Sequence, residues 1–365
     1  MDQKFYDNLS EQSLAGVELS DVICEQILSD SSIDILPLVN AAFTVRKHYW
    51  QKQVIIHIIN NAQNGHCPED CHYCAQAKTS KADIEEYGLK SDEEMLAEAR
   101  QAYSKGAYRY CMVYAGRGAS EQRIERLSRL IRQIKAEYPN NEICISTGLV
   151  TAPGAVELKK AGLDRLNHNL NSSESHYPNI CTTHTYADRL STLLAARNAG
   201  IKLCSGMIAG MGEQNKDIVE VAKRLRSLKS ESIPVNFLIP IEGTQMVPSE
   251  TLNPEFCLRI LCLFRFLNPS AELRVGAGRE MHLRGLEVLS LYPANSLFLQ
   301  GYLNAKGNSN AKTLRMIKDA GFDIKSEENL DELVAHETQE SSAASVDPVQ
   351  VMMKDIKDLR PALKV

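Results

Sequence analysis

Strand-like and helix-like stretches alternate from residue 53 to residue 320, and this alternation limits the fold more than any other feature of the chain. Runs rich in β-branched and aromatic residues read as strands at 53–59, 108–113, 142–147, 163–170, 201–205, 234–239, 272–276 and 296–299. Helical spacing fills the intervals. Ser91-x-x-Glu94 reads as a capping box, with Met95, Ala99 and Tyr103 on one face beyond it. From Ser120 onward, Ile124, Leu127, Ile131, Ile134 and Tyr138 fall on one stripe. Further helices read at 153–161, 186–199 with Thr185 as N-cap, 215–228, 254–267 and 311–320. Three junctions share one punctuation: Ala161-Gly-Leu163, Ala199-Gly-Ile201 and Ala320-Gly-Phe322. A glycine past the last helical turn supplies the left-handed residue that ends it. Eight such units predict an α/β protein, a (β/α)8 TIM-type barrel over 51–325, a fold that typically takes ~250 residues. A doubly wound open sheet is the alternative. Residues 1–50 read as an N-terminal helical extension with a break near Ser29-Asp-Ser-Ser32. Residues 326–365 read as a flexible tail, with a linker at 336–346 and a possible short helix over 348–359.

Composition narrows the function. Of 365 residues, 44% are apolar, enough for a sizeable core. A net charge of −5 and the lack of a dense basic run argue against nucleic acid as a partner. No run approaches the ~20 apolar residues of a membrane span, and the N-terminus has no signal-like apolar region. The expectation is a cytoplasmic protein whose ten cysteines are thiols or metal ligands rather than disulfides.

Cys67-Pro-Glu-Asp-Cys71-His-Tyr-Cys74 carries the chemistry. Three cysteines at C-x3-C-x2-C spacing suit a metal or a cluster of metals. A closed zinc site wants four ligands, and none stands at the usual distance to complete it. A structural zinc with a distant fourth ligand, or a disulfide beside a free thiol, remains the plain alternative. A four-iron cluster held by three cysteines leaves one iron open. The spacing, with Tyr73 before the third cysteine, resembles the radical S-adenosylmethionine enzymes, whose cofactor occupies that iron.

The strands carry polar residues where a barrel interior normally holds Val, Ile and Leu. Side chains alternate along a strand. Arg109 and Cys111 therefore share one face of the second strand, and Cys144 and Ser146 one face of the third. Asn167, Asn169 and Asn171 share a face of the fourth, while Cys204, Asn236 and Arg274 lie on later strands. Each alone has a structural explanation, since a strand cysteine is commonly a small buried apolar residue. If their faces all point inward, Cys111, Cys144, Cys204 and Arg274 could converge on a second soft-metal centre.

From about Asn64 to Phe322 the chain resembles the biotin synthase family. The resemblance rests on Asn64-Gly-His-Cys-Pro-Glu-Asp-Cys-His-Tyr-Cys-Ala-Gln76, Asn167-His-Asn-Leu-Asn171 and Ile180-Cys-Thr-Thr-His-Thr-Tyr186. It continues in Cys204-Ser-Gly-Met-Ile-Ala-Gly-Met-Gly-Glu213, Pro234-Val-Asn-Phe-Leu238 and Arg274-Val-Gly-Ala-Gly-Arg-Glu280. It implies a homodimeric barrel with a 4Fe-4S cluster on Cys67, Cys71 and Cys74. It implies a 2Fe-2S cluster on Cys111, Cys144, Cys204 and Arg274. Arg189 would hold the S-adenosylmethionine carboxylate and Asn171 its ribose, with Tyr73, Ile208 and Ile239 completing the cofactor site. Asn169 and Asn236 would bind the ureido ring of the substrate, dethiobiotin. No acid–base residue is implied: a deoxyadenosyl radical would abstract hydrogen, and sulfide would come from the second cluster. A flavodoxin or ferredoxin would supply the electron. The chain departs from the family at Asn171, where many relatives have Asp, and at Gly243-Thr-Gln245 and Gly276. It also has Leu303-Asn-Ala305 where hydroxyls are expected to hold the substrate carboxylate. Two other functions fit parts of the pattern. One is a related radical enzyme, such as a methylornithine synthase or hydrogenase maturase. The other is a non-catalytic electron-transfer module.

Overall fold

The computed structural model describes residues 1–340 and 350–363. Among the described residues ten strands form one sheet: β1 Gln53–Gln63, β2 Arg109–Tyr114, β3 Glu142–Ser146, β4 Arg165–Asn167, β5 Lys202–Cys204, β6 Met207–Ala209, β7 Ser232–Phe237, β8 Glu272–Val275, β9 Ser296–Phe298 and β10 Asp323–Ile324. Eight of them run parallel in the order β1-β2-β3-β4-β5-β7-β8-β9, and β9 pairs back to β1. The sheet is thus closed into the expected (β/α)8 barrel, and the open-sheet alternative is excluded. β6 adds to β7, and β10 to the start of β1. Both are too short, at three and two residues, to show a period in the sequence.

The helices form for the local reasons expected. Helix Glu121–Glu137 buries Ile124, Leu127, Ile131 and Ile134, and the Ser120 hydroxyl accepts from Arg123 N at 3.2 Å. Thr185 and Asp188 make a reciprocal capping box. At Ser91 only half of the expected box is present. Ser91 Oγ accepts from Glu94 N at 3.1 Å, but the Glu94 carboxylate is turned to Arg360. Gly162, Gly200 and Gly321 all have positive φ at the three helix ends.

The N-terminal extension consists of three helices, Gln3–Leu14, Asp21–Ser29 and Ile35–Trp50. They cover helix Pro254–Leu267, which is therefore buried throughout from Cys257 to Leu267. Polar anchors lock the two layers: Ser13 Oγ donates to Phe266 O at 2.7 Å, and Arg259 donates to Ile27 O and Ile33 O. Beyond the barrel, helix Leu330–Glu340 packs on helix Asn310–Asp319 and buries Leu330, Leu333 and Val334. Residues 336–340, expected in a linker, complete this helix because its apolar face already lies against the barrel wall. The rest of that linker, 341–346, lies outside the described residues. Of the short helix expected over 348–359, only Ile356–Leu359 is helical, and 348–349 lie outside the described residues. Among the described residues no helix is long and apolar enough to cross a membrane.

Candidate active site and cysteine centres

The barrel interior is built in layers, because inward side chains recur every second residue and the tilt of the strands offsets the stagger of their register. His57 pairs with Arg109, and Arg109 with Glu142. Two residues further on, Ile59 pairs with Cys111, and Cys111 with Cys144. Asn167 pairs with Cys204, and Pro234 with Arg274.

The lowest layer is ionic. Arg109 donates to Glu272 at 2.7 and 2.9 Å and to Glu142 at 2.8 Å. Arg165 donates to Glu142 at 2.8 Å, and His57 Nε2 lies 2.8 Å from Glu272. Arg274 reaches down from the layer above to Glu272 at 2.9 Å and Ser232 at 2.8 Å. Burial pushes the His57 pKa down to about 3, with the Arg274 and Arg109 charges adding to it, so the ring is neutral. Three buried guanidiniums against two carboxylates leave one positive charge facing the cysteines. Desolvation raises the Glu142 pKa, but Arg109 and Arg165 outweigh it and bring it to about 2. The native state therefore holds fewer protons than the unfolded chain between pH about 2 and the ordinary value of 4.5. This stabilisation is complete above that window and lost as pH falls through it. Glu142→Gln is expected to flatten the fall of denaturation midpoint between pH 5 and 2, checked by denaturant melts across that range.

The middle layer holds the second candidate centre. Cys111, Cys144 and Cys204 are buried together, apart from the main apolar core, with Phe298. They line a cavity of ≈ 20 Å³ with Arg274 and Tyr302. Arg274 Nη1 lies 3.7 Å from Cys204 Sγ. Hydrogen bonding among the thiols, followed by burial, pushes the Cys144 and Cys204 pKa values well up. Three close sulfur atoms and a surplus cation suit a soft, thiolate-bound iron–sulfur group. Arg109 shares the inward face of β2 with Cys111, as expected, one layer lower, and is committed to the carboxylates.

Above lies a cavity of ≈ 240 Å³ at the C-terminal ends of the strands, where (β/α)8 barrels place their active sites. Cys67, Cys71, Tyr73 and Cys74 line one side. Asn169, Asn171, Arg189, Ile208, Asn236 and Ile239 line the remainder, so every residue expected near cofactor or substrate faces this one space. β4 ends at Asn167, so Asn169 and Asn171 sit on the loop beyond it rather than on the strand. Asn171 has φ 69, a backbone region that Asn enters more readily than most residues, and donates to Tyr73 Oη at 2.5 Å. Asn169 Oδ1 accepts from Gly206 N at 3.1 Å, and Asn236 Oδ1 from Ala277 N at 2.9 Å. The Arg189 guanidinium is braced by Asn169 O at 2.7 Å, by His184 Nε2 at 2.8 Å and by Tyr177 Oη.

Sequence reasoning missed what holds the cysteine loop. Asp70 accepts from Thr182 N at 3.0 Å and Thr183 N at 3.1 Å, and Glu69 accepts from Thr183 Oγ1 at 2.6 Å and contacts His184. The two motifs 64–76 and 180–186 are thereby latched together. Cys181, in the second of these motifs, has its sulfur 3.7 Å from Cys71 Sγ. All ten cysteines are free, which excludes the disulfide alternative. Glu142 and Glu272 open strands that the sequence places correctly, but a charge at the first residue of a strand ordinarily faces solvent, so their burial was not legible.

Two family models match: the radical SAM superfamily over residues 64–225, and the biotin and thiamin synthesis associated domain over 234–323. Crystal structures of methylornithine synthase (TM-score 0.73, 18% identity, 90% of this chain and 99% of that one) and of an FeFe-hydrogenase maturase from Carboxydothermus hydrogenoformans (0.72, 17%, 88% and 79%) share the fold. A biotin synthase of Magnetococcus marinus is 55% identical over 315 residues, 86% of this chain and 98% of the relative. One of Bacillus subtilis is 42% identical over 322 residues, 88% and 96%. Identity of this size runs through both matched regions and nearly the whole length of these relatives, so the chain belongs to the biotin synthase family of the radical SAM superfamily.

Proposed function

We propose that this chain forms biotin from dethiobiotin by radical insertion of sulfur. The observation that carries the reading is vertical order: Cys111, Cys144, Cys204 and Arg274 lie directly beneath the cavity whose rim bears Cys67, Cys71 and Cys74. Cys67, Cys71 and Cys74 would hold a 4Fe-4S cluster with S-adenosylmethionine, and Cys111, Cys144, Cys204 and Arg274 a 2Fe-2S cluster. When bound, the first pair supplies a deoxyadenosyl radical and the second group supplies sulfur. The protein's part is placement and exclusion of water. Arg189, Asn171 and Tyr73 form one braced wall suited to the polar end of the cofactor, with Ile208 and Ile239 against its apolar surfaces. Asn169 and Asn236 each spend the amide oxygen on backbone, which fixes the plane of the amide; Asn236 Nδ2 also gives one hydrogen to Met207 O at 3.1 Å, which leaves its second for a ureido oxygen beside the Asn169 amide nitrogen. Asn169 borders both cavities, so a ring held there lies between radical source and sulfur source. Arg274 is charged in the cluster-free chain, with Nη2 bound to Glu272 and Ser232 and Nη1 beside Cys204 Sγ; to ligate iron, Nη1 would have to give up a proton. Family membership supports a homodimer fed by a flavodoxin or ferredoxin, and ten free thiols suit the reducing cytoplasm.

The test is anaerobic reconstitution with iron and sulfide, then reductant, S-adenosylmethionine and dethiobiotin. Biotin is the expected product. Deoxyadenosine without biotin would move the reading to a related radical enzyme with another substrate. No deoxyadenosine would overturn it in favour of an electron-transfer module.

Gly276 provides a finer check. A Cβ there would lie 2.3 Å from Asn236 Oδ1. Gly276→Ala is expected to displace the Asn236 amide and raise the KM for dethiobiotin about tenfold, with the KM for S-adenosylmethionine unchanged. Steady-state kinetics with each substrate varied in turn would show it.

A further inference from the structure

We infer that the C-terminal segment Met352–Arg360 is a clasp on the substrate cavity, a positioning element for the loop that closes one lip; the inference rests on the functional reading above. Leu303, Asn304 and Ala305 line the cavity opposite the latched cysteine loop. That loop has little structure of its own beyond a bridge between Tyr302 and Ala305. Leu303 has φ 47, a left-handed conformation that a branched apolar residue keeps only where its surroundings enforce it. The enforcement comes from the far end of the chain. Lys306 N donates to Met352 O at 2.8 Å, and Lys354 N donates to Asn304 O at 2.8 Å, which adds a short antiparallel bridge of Ala305 with Met353.

The clasp is itself tied down. Leu359 is 3% exposed, and its carbonyl accepts from the buried Lys90 ammonium at 2.6 Å, which also pairs with Glu98 at 2.8 Å. Arg360 makes a two-point pair with Glu94 at 2.8 and 2.5 Å. A buried ammonium left short of an acceptor is costly, so the carbonyl of Leu359 has a fixed place. The loop also touches the other lip: Asn64 Nδ2 donates to Asn304 Oδ1 at 2.6 Å. Asn64 opens the segment that runs into Cys67. The clasp thus sets the distance between the two lips: it meets the lip loop through backbone hydrogen bonds and one ion pair, Lys306 with Asp358 at 2.8 Å, and none of these groups carries chemistry.

Lys354→Pro removes the Lys354 N–H while leaving the anchors at Leu359 and Arg360. The expected result is a rise in the KM for dethiobiotin of about fivefold, the size of one net hydrogen bond, with the KM for S-adenosylmethionine unchanged. Amide exchange at 302–306 should accelerate in the same variant. Arg360→Ala, which loosens the anchor without touching the bridge, should move both readouts in the same direction by less. If Lys354→Pro changes neither readout, or raises both KM values together, the clasp is overturned. If Lys354→Pro does not fold, Arg360→Ala decides alone on the same criteria. A parent chain that makes no biotin would defeat the functional reading instead; dethiobiotin binding by equilibrium dialysis would then replace KM in judging the clasp.

Discussion

Cys144→Ala is expected to abolish biotin formation, by at least about a thousandfold, while S-adenosylmethionine is still cleaved to deoxyadenosine within about threefold of the parent rate. The separation follows from position. Cys144 is 2% exposed in the middle layer of the barrel and lines the small lower cavity, not the upper one. Removing its sulfur leaves Cys67, Cys71, Cys74 and their latch on Asp70 and Glu69 untouched. The measurement is product analysis of reconstituted protein, with iron and sulfide counted per chain. Iron content should fall by the complement of the second cluster only. Biotin formation at the parent level would remove Cys111, Cys144, Cys204 and Arg274 from the chemistry, however close they lie. Loss of deoxyadenosine along with biotin would mean that the two centres are not independent.

The second large effect concerns stability. Glu272→Ala is expected to cost about 3–5 kcal/mol, because Arg109 and Arg274 then lose a fully buried carboxylate partner. Glu272 is 0% exposed, and its two oxygens serve Arg109, Arg274, His57 and Ser232. Burial pushes its pKa up, but the Arg109 charge and the hydrogen bond with His57 outweigh that and hold it well below the usual range, so the group is ionised at neutral pH. Denaturant melts of the cluster-free protein would measure the loss. The double variant Glu272→Met with Arg109→Met should lose less than Glu272→Ala alone, since a buried charge without its partner costs more than an apolar pair of similar volume. Equal losses for the single and double variants would show that the network contributes geometry rather than charge balance. A marginal loss for Glu272→Ala would show that water reaches the barrel floor.

The vertical order also explains why this barrel tolerates so much polarity. An interior of Val, Ile and Leu would be cheaper to build. Here the floor is a set of paired charges whose one unmatched cation lies under three thiols. Deprotonating those thiols in an otherwise dry interior would be prohibitive without it. On the proposed function, the ionic layer is as much a part of the site as the cysteines.

What was legible in the chain was whatever depends on near neighbours. The C-x3-C-x2-C spacing puts three sulfurs within one loop whatever surrounds it. Apolar stripes such as Ile124–Leu127–Ile131–Ile134 specify a helix and its buried face. Period two places Cys111 on the same side of its strand as Arg109, and Cys144 on the same side as Ser146. Where the local signal was weak, the reading slipped: β6 and β10 are too short to show a period, and Asn169 and Asn171 continue the alternation of β4 after the strand itself has ended.

What only the tertiary structure decided was level and partner. Nothing within β2, β3, β5 or β8 says that Cys111, Cys144, Cys204 and Arg274 stand at one height. The register alone staggers them: Cys144 leads through Arg165 to Lys202, two residues before Cys204, and Cys204 leads through Ser232 to Glu272, two before Arg274. The tilt of strands in a closed barrel offsets that stagger, and closure is a property of eight strands together. For the same reason the partners of Glu272 on β1, β2 and β7, and of Glu94 in the far tail, could not be read locally: burial makes such charges seek one another, but the fold alone determines which are within reach.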